Sequence, residues 1–334
     1  MRGLVWHGPN EMSIDELPEP EPGEGEALIA PEAVGICGSE LEGYRGEQGN
    51  RTPPLVMGHE LAGRVVAVGP GVDPAWTDRR VAVNPLVHAP DALEGIEQLA
   101  SDRELIGVHR PGGFAGLVPV PAHRLRPLPD GADARLGALA EPLANGVHAA
   151  RIGRAGVEGG PTGRAVVIGA GTIGLLTQQA VAVGGADWVG ALEPQADRRA
   201  AARALGASEA FADPDALREA VGRPGADLVF DAVGIEATRR LALDLLRPGG
   251  CAVMIGLAAD AHPVSFHDVV RRGLTVRGSY AYRDDDYDEA LALLLDGRAG
   301  LGDLEAIQPL DAGPEAFAEL AGGPSSRLKV FLAP

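Results

Sequence analysis

Cysteine is scarce in this 334-residue sequence: Cys37 and Cys251 are the only two. They sit in such different settings that no disulfide framework is expected. Aromatic residues make up 4% of the sequence, and no uninterrupted apolar run approaches the ~20 residues that span a bilayer. The start, Met-Arg-Gly-Leu-Val-Trp-His-Gly, has no long apolar stretch or cleavage site of the secretory kind, so a cytoplasmic location is expected. Positive charge is also short, with 29 Lys and Arg against 47 Asp and Glu, a net charge of −18. Nucleic acid and anionic membrane would both be repelled by such a surface, which excludes them as expected partners.

What is present describes a globular chain, 45% apolar and 23% charged, and its length suits two cores better than one. Up to about residue 140 it is rich in Gly and Pro with short apolar runs, at 26–33, 61–68, 80–83 and 116–120. That rhythm suggests a mostly β domain. From about residue 143, strand patterns at 165–168, 188–192, 227–230 and 251–255 alternate with helical stretches such as 195–205 and 237–246. This alternation marks parallel βαβ units in an α/β fold. A further apolar strand is expected at 274–278, an amphipathic helix at 286–295 and a last strand at 328–332. Cys251 falls in a buried-strand pattern and reads as a small core side chain.

The run Ala165-Val-Val-Ile-Gly169-Ala-Gly171-Thr172-Ile173-Gly174 places a Gly-x-Gly-x-x-Gly motif between an apolar strand and a helix start. Glycines there let the backbone turn tightly and approach a pyrophosphate, whose charge meets the helix N-terminus. The next strand ends at Glu193, about 20 residues on, where a carboxylate can bind a ribose diol and repel a 2′-phosphate. NAD is therefore expected rather than NADP, although Arg198 and Arg199 nearby keep NADP open.

Cys37, in Gly-Ile-Cys-Gly-Ser-Glu, is followed by Gly58-His59-Glu60 and later by Glu141 in Ala-Glu-Pro-Leu-Ala. A thiolate, an imidazole and a carboxylate supply three protein ligands for zinc and leave a fourth position open, the pattern of a catalytic metal.

In their order and separations these segments resemble the zinc-dependent medium-chain dehydrogenases of the alcohol and polyol type. The resemblance runs almost end to end, from Glu-Pro-Gly-Glu-Gly-Glu-Ala-Leu-Ile through Pro54-Leu-Val-Met-Gly-His-Glu to Leu328-Lys-Val-Phe-Leu-Ala-Pro. It implies a GroES-like, mostly β catalytic domain at 1–143 and 279–334. A Rossmann NAD-binding domain with a doubly wound parallel sheet would lie between, at 144–278. It further implies Cys37, His59 and either Glu60 or Glu141 on zinc, and Glu40 hydrogen-bonded to the metal-bound histidine. Ser39 would take the alcohol proton, and Lys329 would contact the cofactor phosphates.

Two departures stand out. The relay histidine of liver-type enzymes is replaced by Glu42, which leaves Glu42 or water to receive the proton. The four cysteines of a structural zinc are missing after Arg80-Val-Ala-Val-Asn-Pro-Leu, so one zinc per subunit is expected. A short docked helix carrying Leu93, Ile96 and Leu99, with Asp91 as its N-cap, is expected to replace that lobe. Glu42, Tyr44 and Glu141 would give the pocket a polar lining, and the Gly107–Phe114 segment resembles sugar-acid dehydrogenases. The reading is thus an NAD-dependent zinc enzyme for a secondary alcohol in a polyol, sugar acid or cyclitol, assembled as a homodimer or homotetramer. Its alternatives are a zinc-free enone or quinone reductase and a catalytically silent cofactor-binding protein.

Overall fold

A computed structural model of the protein describes residues 1–47, 50–88, 94–160, 163–261, 263–323, 325 and 327–334. The chain divides into two compact units, Met1–Glu141 with Asp303–Pro334, and Pro142–Gly302.

In the first unit, strand Glu26–Gly35 lies at the centre of a seven-stranded sheet, as its long run of buried apolar residues allows. It pairs antiparallel with Glu60–Val68 on one side, and with Phe331–Ala333 and Val118–Pro121 elsewhere along its length. Pro31 lacks the N–H a ladder needs, and the register with Glu60–Val68 shifts between Pro31 and Ala33. Ile29, Val34, Leu61, Val65, Val81, Val118 and Leu332 form the core beneath it, together with Phe114 and Phe317.

The second unit holds six parallel strands in the order 209–211, 188–192, 164–168, 226–231, 246–254 and 275–278. The winding reverses between 164–168 and 226–231. In such sheets a ligand crevice lies beyond the carboxyl ends of the strands at that reversal. Val166, Ile168, Val229 and Ala252 are buried on the sheet, with Leu217, Leu241 and Leu245 from the helices packed on them.

Four features depart from the sequence reading. Residues 279–302 belong with the second unit, not the first. Helix Asp284–Leu295 buries Tyr287, Leu291 and Leu294, and its Asp286 meets His148 at 2.7 Å and Arg151 at 2.9 Å. Helix Ala134–Ala155 was not foreseen; it is buried on nearly every side from Gly137 to Ala150, so it has no amphipathic stripe to read. The hairpin Arg2–Gly8 with Glu11–Glu16 was also missed. Finally, the expected docked helix does not form among the described residues. Only a 3₁₀ turn spans Glu97–Leu99, with Ile96 43% and Leu99 53% exposed, while Asp91 and Leu93 lie outside the described residues. No helix among the described residues is long and apolar enough to cross a membrane.

Candidate active site

The candidate metal ligands are brought together by strand register. Gly35, at the end of one central strand, lies opposite Glu60, at the start of the next. Cys37 follows the first strand by two residues and His59 precedes the second by one, so pairing the strands joins the two motifs. Gly35 is required: a Cβ there would fall on the Glu60 carboxylate. Gly58 adopts φ +105°, and a Cβ on it would press within 2.8 Å of the Phe114 amide nitrogen.

The donor atoms of Cys37, His59 and Glu60 all lie within 4.8 Å of one another. Thiolate, imidazole and carboxylate is a donor set that suits zinc, so these residues fit the metal. Glu141 is buried but is not part of this cluster, which among the described residues uses Glu60 as its carboxylate.

Glu40 organises the site from beneath. Its Oε2 accepts from the Cys37 amide at 3.0 Å and its Oε1 from the Gly58 amide at 2.7 Å. The same Oε1 lies 3.0 Å from His59 Nδ1, close enough for an ion pair but off the line of a hydrogen bond. Engaging Nδ1 leaves Nε2 as the nitrogen for a metal. Burial works against charge on both partners. The neighbouring charges outweigh it, lowering the Glu40 pKa and holding that of His59 well above the ordinary imidazole value.

Lys329 is the only lysine in the sequence. Expected to contact the cofactor phosphates, it is engaged within the first unit. The buried ammonium donates to Glu60 Oε1 at 2.7 Å, to Oε2 at 2.6 Å and to the Ile36 carbonyl at 3.0 Å. Burial disfavours its charge, but Glu60, Cys37 and Glu141 outweigh that and raise its pKa.

Ser39 stands beside Cys37, with Oγ 3.4 Å from Sγ. Glu42 is partly exposed on the same short helix, Gly38–Tyr44. Tyr44 does not serve as a polar lining: its hydroxyl donates to the Asn10 carbonyl and its ring packs on Phe317. Arg110 is likewise engaged, with Glu26, and His109 Nδ1 accepts from the Leu105 amide.

In the second unit, Gly169 follows strand Arg164–Ile168 with φ +93°, and Gly171 caps helix Thr172–Val183. A Cβ on Gly174 would fall on the Gly169 carbonyl oxygen, whereas one on Gly171 would meet open space. The motif thus combines a tight turn, close helix–strand packing and an uncovered helix start at Thr172 and Ile173. Glu193 is buried where the next strand ends; Oε2 accepts from the Ala170 amide at 3.0 Å and Oε1 from the Gln195 amide at 2.9 Å. It therefore clamps the glycine turn. Arg199 points back to the carbonyls of Glu193 and Pro194, and Arg198 is partly buried.

One residue of this unit was missed. Asp231, fully buried where the fourth strand ends, accepts from the Val233 and Gly234 amides and from Thr238 Oγ1, each at 2.9 Å. It fixes Val233 against Gly169, within 2.6 Å of where a Cβ would stand. The strand-ending Asp with a glycine three residues on was its only signal.

The pattern of the alcohol dehydrogenase GroES-like domain matches residues 23–130, and that of the zinc-binding dehydrogenases matches residues 172–296. The chain is 32% identical to an L-galactonate-5-dehydrogenase of Escherichia coli (strain K12) over 305 residues, covering 89% of this chain and 88% of that protein. Among solved structures, an alcohol dehydrogenase from E. coli CFT073 complexed with NADH superposes with a TM-score of 0.91 at 25% identity. That likeness covers 100% of this chain and 99% of the other. A structure from Sinorhizobium meliloti 1021 bound to NADP gives 0.89 at 29% identity, with coverage of 100% and 99%. The chain belongs to the zinc-dependent medium-chain dehydrogenases, with a GroES-like and a Rossmann domain, and is an oxidoreductase of secondary alcohols.

Proposed function

We propose that the protein is a cytoplasmic NAD-dependent dehydrogenase with one zinc per subunit, acting on a secondary hydroxyl of a polyol, sugar acid or cyclitol. The observation that carries this reading is the cluster of Cys37, His59 and Glu60 donors within 4.8 Å. Zinc held there supplies a Lewis acid for the substrate oxygen, and NAD supplies the hydride acceptor. The chain's own residues do the rest. Glu40 fixes the His59 ring, and Lys329 holds Glu60. The Ser39 hydroxyl, beside the thiolate, is placed to take the substrate's proton and pass it to Glu42 or water. Glu193 favours NAD because its carboxylate would accept from ribose hydroxyls and repel a 2′-phosphate. The sugar-acid relative supports a substrate with several hydroxyls.

We infer a homodimer or homotetramer. Six of the eleven large hydrophobics exposed among the described residues fall between Leu257 and Tyr280, Phe266 at 73% and Val270 at 77% among them. They adjoin strand Thr275–Gly278, the outermost of its sheet, whose open edge favours pairing.

A panel of polyols, sugar acids and cyclitols with NAD⁺, read by NADH absorbance beside elemental zinc analysis, tests the activity. Turnover that persists in zinc-free protein would overturn the metal reading. Light scattering tests the assembly, and a mass of one chain at micromolar concentration would overturn it.

A further inference from the structure

Asp231 ends strand Ala226–Asp231, beside the point where the winding of the parallel sheet reverses. Its side chain is fully buried, and its three partners carry no charge. Oδ1 accepts from the Val233 and Gly234 amides and Oδ2 from Thr238 Oγ1, each at 2.9 Å. Thr238 Oγ1 in turn accepts from the Ile235 amide at 3.1 Å, so the bonds run from the strand end to the start of helix Glu236–Leu245. Burying a carboxylate costs more than burying a neutral acceptor, but the bonds it accepts are correspondingly firm.

The turn closed in this way touches both neighbouring strand ends. Val233 Cγ2 lies 2.6 Å from where a Cβ on Gly169 would stand, so it presses on the first glycine of the Gly-x-Gly-x-x-Gly motif. The Ala232 amide donates to the Ile168 carbonyl at 3.0 Å. On the other flank, a Cβ on Gly234 would fall on the Gly256 carbonyl, and one on Gly256 would fall on the Val233 carbonyl carbon. The Ile255 and Gly256 amides both donate to the Asp231 carbonyl at 2.9 Å, and the Ala259 amide to that of Gly234 at 3.0 Å. Residues 231–234 are therefore a wedge between the glycine turn and the loop that follows strand Leu246–Met254. In a doubly wound sheet the dinucleotide lies across these strand ends.

We propose that Asp231 is a positioning residue for the dinucleotide: its carboxylate holds this wedge closed and so sets the spacing between the glycine turn and the Gly256 loop. It acts through Val233 and Gly234 without touching the cofactor. This rests on the dinucleotide reading of the second unit and is independent of the metal. The wedge supports the turn rather than the ribose, so NADH and NADPH depend on it alike.

The test is fluorescence titration of the full-length protein with NADH and with NADPH, well below its melting temperature. Asp231→Ala leaves two amides without their acceptor, so the turn is closed in only a fraction of molecules and apparent affinity falls by that fraction. Both dinucleotides should bind about tenfold more weakly or worse, which corresponds to a closed fraction of about one tenth. The ratio of the two affinities should stay within twofold of the parent, unlike the loss of Glu193. Asp231→Asn keeps one oxygen for the amides and offers Thr238 Oγ1 a donor, so it should recover most of the loss. Thr238→Val removes a single bond and should weaken both dinucleotides about threefold; it decides the matter should Asp231→Ala not fold. A lower melting temperature with NADH affinity within twofold of the parent in Asp231→Ala, or an unchanged affinity in Thr238→Val, makes the turn merely structural and overturns the proposal. So does a loss of NADH binding that NADPH does not share, or an Asp231→Asn variant no better than Asp231→Ala. A parent protein that binds neither dinucleotide is a separate outcome and sinks the nucleotide reading itself.

Discussion

Lys329 Nζ donates to both carboxylate oxygens of Glu60, at 2.7 and 2.6 Å, and Glu60 clusters with Cys37 and His59. The sequence uses arginine for every other basic side chain apart from histidine. An ammonium is a compact point charge, suited to a buried pocket where a planar fork would need more room. The Glu60 carboxylate therefore has its charge already matched, and under the proposed zinc reading Lys329 would support the metal site.

Lys329→Met should destabilise the fold by roughly 3–5 kcal/mol, because it leaves the Glu60 carboxylate buried without its partner. NADH affinity should stay near the parent value. Thermal melts and NADH fluorescence titration check both. A tenfold weaker NADH affinity at unchanged melting temperature would restore the phosphate-contact role and remove this one.

Cys37→Ala and His59→Ala should each lose zinc and turnover while leaving NADH binding nearly intact, since the ligands and the glycine motif belong to different units. The parent should carry one zinc per chain after mild dialysis. With Cys251 buried in a strand of the second unit, no thiolate remains for a second firm site. A second tightly held zinc by elemental analysis would refute the count.

Glu193→Ala should narrow the preference for NAD over NADP, measured as the ratio of kcat/KM for the two cofactors. The same change frees the Ala170 amide, so NAD itself should bind less well. A parent enzyme that is faster with limiting NADP⁺ would show that Glu193 does not read the ribose and would turn attention to Arg198.

Cys251 should resist alkylation. Burial pushes its thiol up to about 11, against a weaker opposing pull from Arg277, and only the thiolate reacts. At pH 8, iodoacetamide should label metal-stripped protein at Cys37 and spare Cys251 until the chain unfolds. The sign for stability follows, because the folded state keeps this proton more tightly than the unfolded chain, whose thiol titrates near ~8.5. That contribution is complete below ~8.5 and lost as pH rises toward 11. Peptide mapping by mass spectrometry is the check, and rapid native labelling of Cys251 would contradict its burial.

Much of this protein could be read from residue order. The strands of the second unit are short apolar runs bounded by turns, and Gly169, Gly171 and Gly174 meet local demands of a turn, a helix start and a close approach. Such demands act over a few residues, so the sequence by itself determined them, and it also displayed a Cys motif and a His-Glu motif. Other features depend on residues far apart in the chain. Helix Ala134–Ala155 has no polar face because protein surrounds it, and a helix without a face carries no period. The unit boundary near residue 302 depends on where helix Asp284–Leu295 finds apolar cover. Above all, only the register that sets Gly35 opposite Glu60 puts the carboxylate beside Cys37, and only the strand that ends the chain delivers Lys329 to it. Register is a collective choice of two whole strands, each burying the correct face, and no local run of residues records it.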